Sequence, residues 1–483
     1  MTLALLIALS AAAAAGGPSS SVSIVACDSR GKPLDAAGLI EFIGRADKRG
    51  GPAIWAWSPD GLAGVRPTLS QNGKDVVLTW PQLPRAVLSL PWPVPDDGFS
   101  TVLVDREGRG LADGEHIQLN EEIALTHYRL LKEAWIKHAK DMSPPYEPSD
   151  KAKKLSDRAR AAVAQAQAAK DTGERAKLFD HAVHEISAAW QKMLVEHGQQ
   201  IAANPATRSA LRFGLTLDAG LLDRLNDHGW IVEAAQRSGA NWVRLVFRAN
   251  PTDFSYTQQS SFSEYDAVVK ALRGKNLRIM GCVLDTAQWP SSLTPPIYVA
   301  RTRNLVLHYK NQINSWEVGN EINGDWLGGT RSPLPLDTVY QIFSAAAAEV
   351  RSIEPSLEIV ATLYWWEGTA PDENHSLFGW LKRYGPRGFG KTIDTVGLSL
   401  QAEDNPVGLS LERIFERVHL TLPGKRLMVG NYGYVEGEQL KGFWWLDPKD
   451  VDGARKDLVT LLTPGAGALD HSVGGGFWWQ TLD

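Results

Sequence analysis

Carboxylates, carboxamides and indoles recur in this sequence at one kind of place, the last residues of short apolar runs. From Arg212 onward such runs carry at or beside their C-terminal ends, in order, Asp218, Arg248, Asp285, Glu321, Trp365, Gln401, Asn431 and Trp479. Gathered into a ring, these side chains suit a sugar: indoles stack on the C–H face of a pyranose, and polar groups bond its hydroxyls. Any one of them is explained as well by a strand-end residue satisfying a loop; the recurrence needs a common cause. Glu321 carries the most chemistry. Asn320 precedes it and Trp316 and Trp326 flank it, and burial of this kind keeps a carboxyl protonated for donation.

The elements that must position these residues alternate from Arg212 onward. Strand-like runs are read at Phe213–Asp218, Trp242–Phe247, Leu277–Asp285, Ile313–Glu321, Glu358–Trp365, Thr395–Gln401, Arg426–Tyr434 and Gly475–Gln480. Helical patterns lie between them, as at Tyr298–Tyr309, Thr338–Ile353 and Leu411–Leu420. Eight runs that are mostly apolar on both faces predict an α/β chain with a (β/α)8 TIM barrel over 209–483, its site at the C-terminal strand ends. No helical run follows the eighth strand, so the helical stretch ahead of strand one is expected to cover that slot.

The stretch Ile313–Asn323 resembles the fourth-strand motif of clan A glycoside hydrolases, in which an Asn–Glu pair ends the strand. The resemblance implies that Asn320 contacts the sugar 2-hydroxyl and that Glu321 is the general acid/base. Gly475–Asp483 is similar to the family's last strand, whose Trp floors the subsite of the reacting sugar. Alternation lets only one of Trp478 and Trp479 face inward, and the resemblance favours Trp479. Gly214–Asp218, with Arg244 or Arg248 on strand two, fits the same family. The substrate-contact set that follows is Asn320, Trp316, Trp365, Trp479, Arg244, Asp218, Gln401 and Tyr434. The resemblance covers about 210–483 and implies hydrolysis or transfer at a β-glycosidic bond.

Strand seven departs from that pattern. Clan A enzymes end it on a nucleophilic Glu followed by an aromatic residue and Gly; here Asn431 stands in that place, before Tyr432-Gly433. Retaining hydrolysis uses two carboxylates roughly 5 to 5.5 Å apart, and a neutral amide forms no glycosyl ester. The neighbouring anion that normally raises the acid's pKa is missing too. Three readings follow. Another carboxylate serves, from Glu403, Asp404, Glu436 or Glu438; or a 2-acetamido group of the substrate is the nucleophile, oriented by Asn431; or the protein binds glycan without cleaving it. An engineered Glu-to-Asn change is equally compatible with a single sequence.

The N-terminal half carries no motif that resembles a known family. Residues 1–17, with the apolar run Leu3–Ala15, read as an export signal and predict a secreted or periplasmic protein. Residues 18–115 carry β-branched runs and turn signals that predict an accessory β-sandwich, and 116–208 read as helix packing on the barrel. A formal net charge of −5 gives no case for nucleic acid; the expected partner is an oligo- or polysaccharide. Cys27 and Cys282 make no disulfide framework. The 11 histidines form no HExxH or clustered spacing, so no metal or other cofactor is expected.

Overall fold

The computed structural model describes residues 19–44, 52–60, 64–73, 75–218, 228–435, 440 and 442–479. The expected export signal, Glu436, Glu438 and Gln480 lie outside them. Among the described residues no helix is long and apolar enough to cross a membrane.

Period-two burial builds the N-terminal quarter. In β1 (Ser19–Val25) Val22 and Ile24 face the core, and in β5 (Asp75–Pro81) Val76, Leu78 and Trp80 do. One sheet runs β4 (Thr68–Asn72), β5, β1, β9 (His116–Gln118). The other runs β3 (Gly64–Val65), β2 (Trp55–Trp57), β6 (Arg85–Val94), β7 (Gly98–Val104), with β8 (Leu111–Ala112) on β6. The pairing is not wholly antiparallel: β9 returns parallel to β1 and leads straight into helix.

After α1 (Ala36–Phe42) come three long helices, α2 (Leu119–Lys140), α3 (Asp150–Ala168) and α4 (Thr172–Ala203). Ser149 and Asp171 cap α3 and α4 by accepting from Ala152 N and Glu174 N. The α4 stripe of Phe179, Val183, Ile186, Trp190 and Met193 is buried. Gly198 on α4 lies so close to helix Val451–Ala468 that a Cβ would come 1.9 Å from Pro464 O. Trp190 Nε1 and His138 Nε2 both reach Glu412, at 2.6 and 2.7 Å, on helix Leu411–Thr421. α2 and α4 therefore lie against the outer helices that follow barrel strands six and seven.

The barrel closes in sequence order: β10 (Arg212–Leu217), β11 (Trp242–Val246), β12 (Arg278–Cys282), β13 (Ser315–Gly319), β14 (Glu358–Tyr364), β15 (Thr395–Gln401), β16 (Arg426–Gly433) and β17 (Ser472–Trp478). All eight neighbouring pairs are parallel, and each strand falls on a run read from the sequence. Trp242, Met280, Val360, Met428 and Phe477 form one apolar cluster. The strands are less apolar than expected, because the ion pair Arg244–Glu317 is buried among them and Arg212–Glu358 is part-buried at their start.

The N-terminal sheets grip the loops at the barrel's C-terminal end. Arg66 Nη2 donates to Ala370 O at 2.5 Å after strand five, and Ser410 Oγ to Thr101 O at 2.7 Å after strand six. After strand seven, Phe99 N donates to Trp444 O at 2.7 Å and Leu446 N to Asp97 O at 2.9 Å.

Candidate active site

Two irregularities in the barrel sheet aim the central side chains. On β16, Leu398 pairs with Val429 but Ser399 pairs with Asn431, so Gly430 is an extra residue. This bulge resets the alternation: Tyr432 turns outward to Thr463, and Asn431 turns to the side where Ser399 stands. Only glycine fits at 430, where a Cβ would meet Thr362 Cγ2 at 2.9 Å. On β13 the register shifts between Glu317 and Gly319. Beyond it Glu321 takes the left-handed conformation, φ 48°, at a cost of about 1–3 kcal/mol.

The side chains so aimed form one buried network. Arg244 Nε donates to Glu317 Oε2 at 2.8 Å, Thr362 Oγ1 donates to Glu317 Oε1, and all three residues are 0% exposed. Arg244 Nη2 donates to Asn320 Oδ1 at 3.0 Å, and Asn320 Nδ2 donates to Asp285 Oδ1 at 3.3 Å. Ser399 Oγ lies 2.5 Å from Glu321 Oε1 and 2.7 Å from Asn431 Oδ1, while Gln401 Nε2 donates to Asn431 Oδ1 at 3.3 Å. Trp479 Nε1 donates to Asp218 Oδ2 at 3.0 Å, and the Arg244 guanidinium carbon lies 4.5 Å from the Trp479 ring centre.

Electrostatics follow from burial. Desolvation first, then the Asp285 carboxylate, pushes Glu321 from 4.5 up to about 8, so the group keeps its proton at neutral pH. The expected loss of an acid-raising neighbour at position 431 is thus offset by burial, Asp285 and Glu317. Desolvation alone would lower Arg244, but the Glu317 carboxylate holds it above its ordinary range.

Several residues fall elsewhere than expected. Trp316 is a correction: it is 0% exposed, on the strand face opposite Glu317, stacked on Phe247 and closing over Gly281, where a Cβ would meet its ring at 2.8 Å. Trp365 is another: it is buried, donates to Pro406 O at 3.2 Å, and lines a cavity of about 20 Å³ with Ala53, Ser89 and Thr101 from the N-terminal part. Neither indole offers a face to a ligand. Arg248 turns away to Glu264, leaving Arg244 as the inward arginine of strand two. Tyr434 is buried and its hydroxyl accepts from Trp445 N at 2.9 Å, which holds the loop after strand seven. Asp404 accepts from Tyr364 OH at 3.0 Å, and burial raises Glu403 to about 7.

An aromatic group near Glu321 was only partly anticipated. Trp326 meets Tyr364 edge-on at 5.2 Å and Trp366 at 5.5 Å, and burial first, then Asp404 and Glu321, push the Tyr364 hydroxyl up. Alternation carries the signal that was missed: Thr362 faces inward to Glu317, so Tyr364 shares its side and Trp365 does not. The same rule selects Glu317 over Trp316 and pairs Ser399 with Gln401.

No family profile and no curated protein matches this chain. Solved structures do resemble it. The β-glycosidase BGL167 is 13% identical, over 56% of this chain and 86% of that one, with a TM-score of 0.40. The intracellular xylanase TsXylA from Thermoanaerobacterium saccharolyticum is 16% identical over 56% and 86%, TM-score 0.41. The GH53 catalytic domain from Ignisphaera aggregans is 15% identical over 57% and 86%, TM-score 0.41. At these TM-scores the likeness carries no argument; the barrel rests on its own strand pairing and the chemistry on its side chains.

Proposed function

We propose that the barrel mouth binds a β-linked oligo- or polysaccharide, and that Glu321 is the general acid of a glycosidase-type site whose nucleophile position holds an amide. One observation carries this reading: Glu321 and Asn431, from strands four and seven, meet through the single hydroxyl of Ser399, with the carboxyl protonated and the facing group neutral. A protonated carboxyl donates to a leaving oxygen, whereas an amide gives no covalent glycosyl intermediate. The wild-type protein accordingly holds glycan and cleaves ordinary β-glycosides poorly. Trp479 and Asn320 are its sugar contacts, with the fully buried Arg244 holding both in place, and Trp326 with Tyr364 offers a second apolar face.

A second reading has its own support. Asn431 Nδ2 is buried with no hydrogen-bond partner among the described residues, and a buried amide donor of this kind suits the orientation of a substrate acetamido oxygen. Binding comes first in either case. Titration of tryptophan fluorescence with xylan, β-glucan, mannan and N-acetylglucosamine oligomers is expected to give a saturable change with one class, lost in Trp479→Ala. Silence across the whole panel would remove the glycan reading.

A further inference from the structure

Ser399 stands between two acceptors. Its Oγ is 2.5 Å from Glu321 Oε1 and 2.7 Å from Asn431 Oδ1, and the two partners are 8% and 0% exposed. A hydroxyl has one hydrogen and two lone pairs, so it cannot donate to both neighbours; one contact must use the neighbour's own hydrogen. Gln401 Nε2 donates to Asn431 Oδ1 at 3.3 Å, which marks that oxygen as the acceptor, since turning the Asn431 amide over would set two N–H groups against each other. The Ser399 hydrogen therefore goes to Asn431, and the hydrogen between Ser399 and Glu321 comes from Glu321.

We infer that Ser399 is a positioning residue for the acid's proton: it accepts the hydrogen of the Glu321 carboxyl and passes its own to Asn431 Oδ1, keeping Glu321 loaded while the cleft is empty. The inference rests on the reading of Glu321 as general acid and assigns a further residue to that site. Along the chain Glu321 O–H to Ser399 O–H to Asn431 Oδ1 each hydroxyl hydrogen meets an acceptor, while Asn431 Nδ2 is left without a partner among the described residues. It also gives the amide at 431 a task, as the terminal acceptor that turns the serine hydroxyl. Other groups bear on Glu321 as well: burial first, then Asp285 and Glu317, favour its neutral form and Arg244 opposes it, as a Ser399 hydroxyl turned to donate would also do. None of those other groups depends on Ser399, so the serine's share can be isolated.

The direction of donation decides the sign of the test. While the Ser399 hydroxyl stays turned to Asn431, the bond it accepts stabilises only the neutral acid, and its removal makes the acid stronger. Infrared difference spectra of the full chain against Glu321→Gln isolate the carboxylic-acid C=O band of this residue, without any turnover. The band is expected to titrate above the ordinary carboxyl range in the wild type, where burial places it. In Ser399→Ala the midpoint should fall by about one pH unit, a tenfold stronger acid, and Ser399→Thr should restore it. Ser399→Cys, nearly the same in volume and a poor acceptor, should also fall, and replaces the alanine variant if that one does not fold. A midpoint that rises or stays put in Ser399→Ala or Ser399→Cys would overturn the inference. A rise would mean that the Ser399 hydroxyl turns from Asn431 to donate to an ionised Glu321. The glycan reading fails by a different route, through absent binding, so the two failures are distinguishable.

Discussion

Asn431→Glu is expected to raise retaining hydrolysis of a bound β-glycoside by on the order of a thousandfold or more, the scale on which loss of a nucleophile acts in other hydrolases. Glu321 already holds a transferable proton, and Asn320 and Arg244 are already fixed beside it. What the site lacks is a group to bond the anomeric carbon as the leaving oxygen takes that proton. The introduced carboxylate supplies the electron pair, and water then releases the sugar with Glu321 acting as base. The longer side chain enters a position that is 0% exposed, and overpacking of this kind costs about 1–3 kcal/mol, so some thermal stability should be lost as activity is gained. Rates on aryl β-glycosides, with product anomers followed by NMR, check the gain. The rate should fall as pH rises through about 8 or above, because the acid must be protonated and the new anion raises its pKa further. A wild-type activity on 2-acetamido sugars that this change abolishes would favour the substrate-assisted reading instead.

Glu317→Gln should destabilise the barrel by about 3–5 kcal/mol, because it strips a buried guanidinium of its counter-charge. Arg244 and Glu317 are each 0% exposed and 2.8 Å apart, so water does not replace the lost carboxylate. For a barrel of this size the melting temperature should fall by roughly 10 °C. Sugar binding should weaken in the same variant, since Arg244 is tied to both Asn320 and the Trp479 ring. Calorimetry checks the first effect; an unchanged melting temperature would mean that the pair is not the anchor of the site.

The eight barrel strands were legible because each is a short apolar run between turn signals, and their ends pointed to Glu321, Asn320, Asn431 and Gln401. Facing was harder to read than position. Trp316 and Trp365 drew attention as indoles, yet strand alternation turns both outward, to Phe247 and to the N-terminal part respectively. Glu317 was passed over beside Glu321, although it stands four residues earlier on the side that Arg244 occupies. The bulge at Gly430 has a weaker signature in sequence, one glycine before Asn431, and without it Asn431 would face away from Ser399. Charge inside the barrel was illegible for another reason: Arg244 and Glu317 lie far apart in the chain, and only closure of the sheet brings them together.

The central claim is that a loaded acid faces a position without a nucleophile, and azide tests it most directly. An activated aryl β-glycoside, of whichever sugar the binding titration selects, is offered to the wild-type protein with and without azide. Little turnover is expected without it. With azide, the anion should attack the anomeric carbon from the Asn431 side as aryloxide leaves, giving a glycosyl azide of inverted configuration by NMR. Rapid turnover of a substrate lacking a 2-acetamido group, with retained configuration and indifferent to azide, would show that another nucleophile is in place and contradict the claim.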